Sequence, residues 1–114
     1  MKYKWGVFKA DLNPAVGSEQ RGSRPVVVVS DEAYNSLMPV VTVLPITSLK
    51  KGRRVYPNEA VLDKDAGGLP RKSIIPAHQI RTISKKRLIA IMGAIDKNEI
   101  KEAVSSALRV HLNL

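Results

Sequence analysis

The residues best suited to chemistry lie in Gly17–Arg24, GSEQRGSR, immediately ahead of Pro25 and four successive valines. Arg24 carries a planar fork of donors that matches phosphate and stays charged at any working pH. A carboxylate from Asp11 or Glu19 would satisfy the same fork, so an ion pair and an anion site stand equal at this level. Thr47 closes a second apolar run, where its hydroxyl either caps the strand or offers a donor and acceptor to a bound oxyanion. Glu19 is a proton acceptor only if burial raises its pKa, and a neighbouring arginine opposes that shift.

Other chemistries find little support. Gly17 and Gly22 enclose four residues, like a phosphate-cradling loop. That loop requires Lys and then Ser or Thr after its second glycine, with a helix behind it. Here Ser23-Arg24-Pro25 and a strand follow instead. His78 and His111 stand apart from carboxylates at ligand spacing, so no metal site is expected. His78 follows Ala77 in what reads as an apolar strand and is more often structural, while His111 falls on a final helix as a surface or boundary residue. With no cysteine, thiolate zinc, disulfides and cysteine nucleophiles are excluded, and no serine sits in a G-x-S-x-G elbow.

The elements that must position these residues can be read in order. Tyr3–Asp11 reads as a strand with Trp5, Val7 and Lys9 on one face and Gly6, Phe8 and Ala10 on the other, ended by Asn13-Pro14. Arg24–Ser30 is a central strand, because an all-valine core suits burial on both faces. Ser30 or Asp31 caps a short helical turn that Pro39 stops. Val40–Thr47 is a third strand, with Pro45 pointing to an edge or an end. A basic loop at Leu49–Arg54, an interrupted edge strand at Arg54–Leu62 and a Gly67-Gly68 turn within Lys64–Pro70 follow. Lys72–Ser84 is a bent strand or pair with Ile74, Ile75, Ile80 and Ile83 as core candidates. A charged turn, Lys85-Lys86-Arg87, leads to a last strand at Leu88–Ile95. Asp96 with Glu99 reads as a capping box, and Ile100, Ala103, Val104, Ala107 and Leu108 recur at helical spacing. The expected class is mainly β with a C-terminal helix: about six short strands forming a small, partly open barrel that the helix closes.

At 114 residues the chain makes one domain, residues 1–114, and its 44% hydrophobic content is that of an ordinary globular protein. Lys and Arg total 19 against 10 Asp and Glu, a net charge of +9 that favours a polyanionic partner, nucleic acid or an acidic protein. No secretory leader is seen at Met1–Ala10, and the longest apolar run, Leu88–Ile95, is far too short to cross a bilayer. A cytoplasmic protein with no membrane association is the expectation.

In combination, Ala10-Asp11-Leu12-Asn13-Pro14, Gly17-Ser18-Glu19-Gln20, Gly22-Ser23-Arg24-Pro25-Val26, Pro45-Ile46-Thr47 and Gln79-Ile80-Arg81-Thr82-Ile83 resemble the MazF/PemK family of toxin endoribonucleases, or mRNA interferases. The resemblance runs from Gly6 to the last helix. It implies an SH3-like small β-barrel shared with CcdB, a homodimer, and cofactor-free, metal-independent cleavage of single-stranded RNA at short sequences. It further implies a cognate antitoxin with an acidic, flexible tail. By position, Arg24 and Thr47 match the family's catalytic arginine and threonine, and Glu19 matches a carboxylate that contributes in some members. A histidine used as base in some PemK-type members has no counterpart in Asn13–Gln20, so the general base stays open.

The implied chemistry is physically coherent, since RNA carries its own nucleophile in the 2′-hydroxyl. In-line attack on the adjacent phosphorus expels the 5′-oxygen and leaves a 2′,3′-cyclic phosphate and a 5′-hydroxyl. Because aromatics are only 4% of the chain, base recognition falls to polar residues such as Ser18, Gln20, Ser48 and Gln79. Lys50, Lys51, Arg53 and Arg54 either hold the RNA backbone or form a solvated loop. Two other readings share the fold: a CcdB-like toxin that binds DNA gyrase without cutting RNA, and an inactive barrel kept only as an antitoxin partner.

Overall fold

The computed structural model describes all residues, Met1–Leu114. Eight strands and two α-helices follow one another: β1 Gly6–Asp11, β2 Ser23–Val28, α1 Glu32–Leu37, β3 Val40–Pro45, β4 Thr47–Ser48, β5 Glu59–Leu62, β6 Ser73–Pro76, β7 Arg81–Ser84, β8 Leu88–Ala94 and α2 Asn98–Leu112. A five-stranded antiparallel sheet runs β7-β3-β2-β1-β8, and a three-stranded sheet runs β4-β6-β5. The central-strand expectation is met, because β2 sits in the middle of the larger sheet. The sheets end at β7 and β8 and at β4 and β5, so the barrel is partly open.

The alternation of side chains explains why valine is repeated in β2. Val27 packs with Val7, Leu44 and Ile46 in one core, whereas Val26 and Val28 pack with Phe8, Ala10 and Val43 in another on the opposite face. Branched residues fill both faces without a polar atom to satisfy. The first core lies between the sheets and beneath α2, which contributes Ile100, Val104 and Ala107. In β1, Val7 joins the first core and Phe8 and Ala10 the second, as the period-two reading requires, while Lys9 is exposed.

Several boundaries differ from the sequence reading. Val40–Thr47 is not one strand: β3 ends at Pro45, and Thr47–Ser48 begins a ladder in the other sheet. Proline cannot donate to a ladder, so the chain changes sheets there, with Ile46 buried at the crossing. Arg54–Leu62 contributes only Glu59–Leu62 to a sheet. Lys72–Ser84 is a strand pair split by a turn at Ala77–Gln79, and His78 therefore lies exposed on a 3-10 turn rather than in an apolar strand. Asp31 caps α1 by accepting from the Ala33 amide at 3.2 Å. Asp96 does not cap α2; the cap position is Lys97, with no side-chain hydrogen bond.

Candidate functional site

The point where the chain changes sheets opens a pocket. The Ile46 amide donates to the Pro25 carbonyl at 2.9 Å, which sets the start of β4 against the β2 residues Arg24 and Pro25. On its other side β4 pairs with β6, Thr47 opposite Ile74 and Ser48 opposite Ser73. A cavity of about 400 Å³ lies here, lined by Arg21, Arg24 and Arg71, by the hydroxyl residues Ser23, Thr47, Ser48 and Ser73, and by apolar walls that include Leu69 and Met92. No carboxylate lines it. Such a lining suits an oxyanion with an apolar body attached.

Arg24 is half-buried, and its Nε donates to the Arg21 carbonyl at 2.9 Å. That bond leaves both terminal nitrogens of the fork unused by any carboxylate, since the ion pairs of the chain are Arg53–Glu59 and Arg109–Glu102. Asp11 accepts from the Asn13 amide instead, and Glu19 from the Val16 amide at 2.7 Å. Arg21 is tied back to the Gly17 carbonyl. The ion-pair alternative for Arg24 is thereby resolved against.

Glu19, Gln20 and Gln79 line a different cavity, of about 150 Å³, with Pro45, His78, Ile80 and Arg81. The two cavities are neighbours at one end of the β2–β3 pair, because Pro25 lines one, Pro45 the other, and Pro45 faces Val26 across the ladder. Gln79 uses both ends of its amide on the loop: Oε1 accepts from the Gln20 amide at 3.1 Å, and Nε2 donates to the Ser18 carbonyl at 3.1 Å. Arg81 donates to the Leu12 carbonyl at 2.8 Å, and Arg87 to the carbonyls of Asp11 and Asn13. The β1–β2 loop is thus held by side chains from the β7 region. The structure brings Arg24, Thr47 and Ser48 together, and groups Glu19, Gln20 and Gln79 separately, with Ser18 beside them through its backbone.

Arg71 is a pocket residue that sequence reasoning misses. It is far from Arg24 along the chain, and its place depends on sheet pairing: the Leu49 amide donates to the Lys72 carbonyl at 3.0 Å, and Ser73 Oγ donates to the Arg71 carbonyl at 2.9 Å. The approach to it is set by glycine. A Cβ on Gly68, where φ is +77°, would stand 2.1 Å from the Met92 carbonyl oxygen. Only glycine lets the turn before Leu69-Pro70-Arg71 press against β8.

The basic loop is not uniform. Arg53 forms a two-pronged pair with Glu59, at 3.1 and 2.8 Å, and Glu59 also accepts from the Tyr56 amide at 2.9 Å. Hydrogen bonding to Arg53 holds the Glu59 carboxyl below the usual carboxylate range, and burial only partly opposes this. Arg54 lies over the Tyr56 ring, 5.3 Å from its centre. Lys50 and Lys51 are exposed and make no ion pair.

Comparison with known proteins agrees with this arrangement. Residues 3–112 match the family model of the PemK-like, MazF-like toxin of type II toxin–antitoxin systems. The chain is 38% identical over 109 residues to Endoribonuclease EndoA of Bacillus subtilis, spanning 95% of this chain and 91% of that protein. It is 35% identical over 113 residues to Endoribonuclease MazF9 of Mycobacterium tuberculosis, spanning 95% and 93%. A mycobacterial endoribonuclease solved with its cognate antitoxin superposes with a TM-score of 0.81 at 22% identity, over 100% of this chain and 97% of that one. With this fold, and with unpaired guanidiniums at its β2–β4 junction, the chain belongs to the PemK-like, MazF-like toxin family of type II toxin–antitoxin systems.

Proposed function

We propose that this chain is a toxin endoribonuclease that cuts single-stranded mRNA at short sequences and so blocks translation. The observation that carries the reading is the carboxylate-free pocket in which Arg24 stands beside Thr47. Relatives named endoribonucleases, at more than a third identity over nearly their whole length, support it.

In this reading the scissile phosphate enters the pocket with its nonbridging oxygens on the terminal nitrogens of Arg24. The 2′-hydroxyl oxygen attacks phosphorus in line, the bond to the 5′-oxygen breaks, and the leaving oxygen takes a proton from water. The products are a 2′,3′-cyclic phosphate and a 5′-hydroxyl. Negative charge grows on the phosphoryl oxygens during attack, and a guanidinium already fixed by its Nε bond stabilises it without reorganising. Thr47 orients a phosphoryl oxygen or the 2′-hydroxyl. Glu19 lines the neighbouring cavity but is exposed and accepts from the Val16 amide, so it lacks the burial that a carboxylate base would need here, and the 2′ proton passes to solvent. Ser18, Gln20 and Ser48 meet bases, while Gln79, expected from sequence to do the same, has its amide committed at both ends to the loop backbone and shapes the loop instead. The scheme uses no metal or cofactor.

One 114-residue domain, residues 1–114, carries the whole site. Its partners are RNA and a cognate antitoxin, the latter supported by the structural neighbour solved with its own antitoxin; an acidic antitoxin would compete with RNA for the same cationic surface. The exposed apolar residues Ile89, Ile91 and Met92 on the edge strand β8 support a homodimer. No helix is long and apolar enough to cross a membrane, and a chain that cuts mRNA acts in the cytoplasm. The test is digestion of a sequence-diverse single-stranded RNA pool in EDTA, followed by mapping of the new 5′ ends. Discrete sites with 5′-hydroxyl ends are expected. A folded protein that leaves the pool intact, or one that binds gyrase instead, would reject the reading.

A further inference from the structure

The third arginine of the pocket is set up differently from the other two. Arg24 commits its Nε to the Arg21 carbonyl, and Arg21 commits a terminal nitrogen to the Gly17 carbonyl. The Arg71 side chain takes part in neither ion pair of the chain, and the residue's contact with Ser73 is made by its backbone carbonyl. That backbone is nevertheless held, by Ser73 Oγ on one side and through the adjacent Lys72 carbonyl on the other. An exposed guanidinium with all its donors unspent, on an anchored backbone and facing a pocket with no carboxylate, is organised for an anion from outside.

Topology says which anion. Arg24 lies on β2, Thr47 and Ser48 on β4 beside it, and Arg71 at the entry to β6 beyond them. Arg24 and Arg71 thus flank β4 from opposite sides, with Arg71 two residues ahead of the Ser73–Ser48 pairing, so the two arginines reach the shared pocket from separate backbone segments and can meet separate phosphates. We propose that Arg71 grips the phosphate next to the scissile one in the bound RNA strand, holding the substrate across the pocket while Arg24 serves the reacting phosphorus. This rests on the endoribonuclease reading above and adds a substrate-binding residue to it.

Because the neighbouring phosphate keeps its charge throughout the reaction, Arg71 contributes equally to bound substrate and to the transition state. Arg71→Ala should therefore raise KM about tenfold while leaving kcat near wild type. It should also lower the slope of log affinity against log salt by about 0.7, the value for one phosphate contact on a single strand. Arg71→Lys, which keeps the charge, should restore the slope. The positional test is an RNA series with one neutral methylphosphonate at each site around the cut. At the phosphate adjoining the cut, the neutral group should weaken wild type about as much as Arg71→Ala does, and should cost the variant nothing further.

Unchanged KM and salt slope in a variant that melts like wild type would overturn the proposal. So would a loss confined to kcat, which would put Arg71 on the scissile phosphate. If wild type cuts no RNA, the endoribonuclease reading itself fails. The same variants are then compared for binding to intact RNA, and an unchanged salt slope there overturns the Arg71 contact separately.

Discussion

Arg53 and Arg24 both belong to the basic surface of this small protein, and the fold treats them in opposite ways. Arg53 meets a carboxylate whose side chain is only 2% exposed, in a two-pronged pair completed by the Tyr56 amide. Arg24 meets a backbone carbonyl through one nitrogen, and no acid reaches the pocket it faces. The first guanidinium is spent on a carboxylate of its own chain, at the turn that leads into β5. The second is left over, and only an incoming anion can complete it. Net charge alone does not separate these roles; the supply of carboxylates around each arginine does.

The severest challenge to this contrast comes from the substrate. Replacing the 2′-hydroxyl at the cut with hydrogen should abolish cleavage while leaving binding nearly intact, because it removes the nucleophile without touching the phosphate contacts. Measured by gel and by filter binding, cleavage that persists on the deoxy substrate would mean another nucleophile is at work.

On the structural side, Arg53→Ala should lower the melting temperature by several degrees, since Glu59 loses its charged donor in a buried setting. RNA cleavage at a temperature where the variant stays folded should change only a few-fold. A large loss of activity with no loss of stability would reverse the assignment of Arg53.

Glu59 also gives a pH signature. Its carboxyl is held below the usual range in the folded state by Arg53, so the pairing stabilises the fold at pH values above the unfolded carboxylate value of about 4.3. That contribution is lost as pH falls through the lower folded value. In melting experiments between pH 7 and 3, wild type should lose stability below about pH 4, whereas Glu59→Gln should start lower and lack that part of the decline. Glu32 is shifted in the same direction: hydrogen bonds from the Lys4 amide, the Asn35 side chain and the Tyr3 amide hold it low. The smallest effect is expected at Lys50 and Lys51. Neutralising both should lower only the salt dependence of RNA affinity, leaving stability and kcat unchanged.

Much of this contrast is legible in the chain, and its limits are physical. Four valines in a row announce a strand buried on both faces, and β2 is central with Val27 in one core and Val26 and Val28 in the other. The start of α1 at Asp31 and the pocket residues Arg24 and Thr47 are also readable, because caps and motif residues are local. What cannot be read depends on which groups the folded chain pairs, near or far. Arg71 reaches the pocket through the ladder of β4 with β6, and Arg53 is removed from the binding surface by Glu59, six residues on. Gln79 reads as a base contact in sequence, yet its amide is occupied by two loop backbone groups contributed from about 60 positions away. Pro45 signals an end without saying that the chain will resume in another sheet. At α2 the capping-box pattern of Asp96 and Glu99 falls one residue early, because the helix enters at Lys97 and helix ends shift readily by a residue or two.

Arg24 is where the mechanism is most exposed to disproof. Single-turnover cleavage of one mapped RNA site, in EDTA and at saturating enzyme, should slow by about two to three powers of ten in Arg24→Ala, with the melting temperature close to that of wild type and RNA affinity lowered by no more than about tenfold. An unaltered rate in the folded variant would contradict the claim that an unpaired guanidinium at the β2–β4 junction carries the reaction.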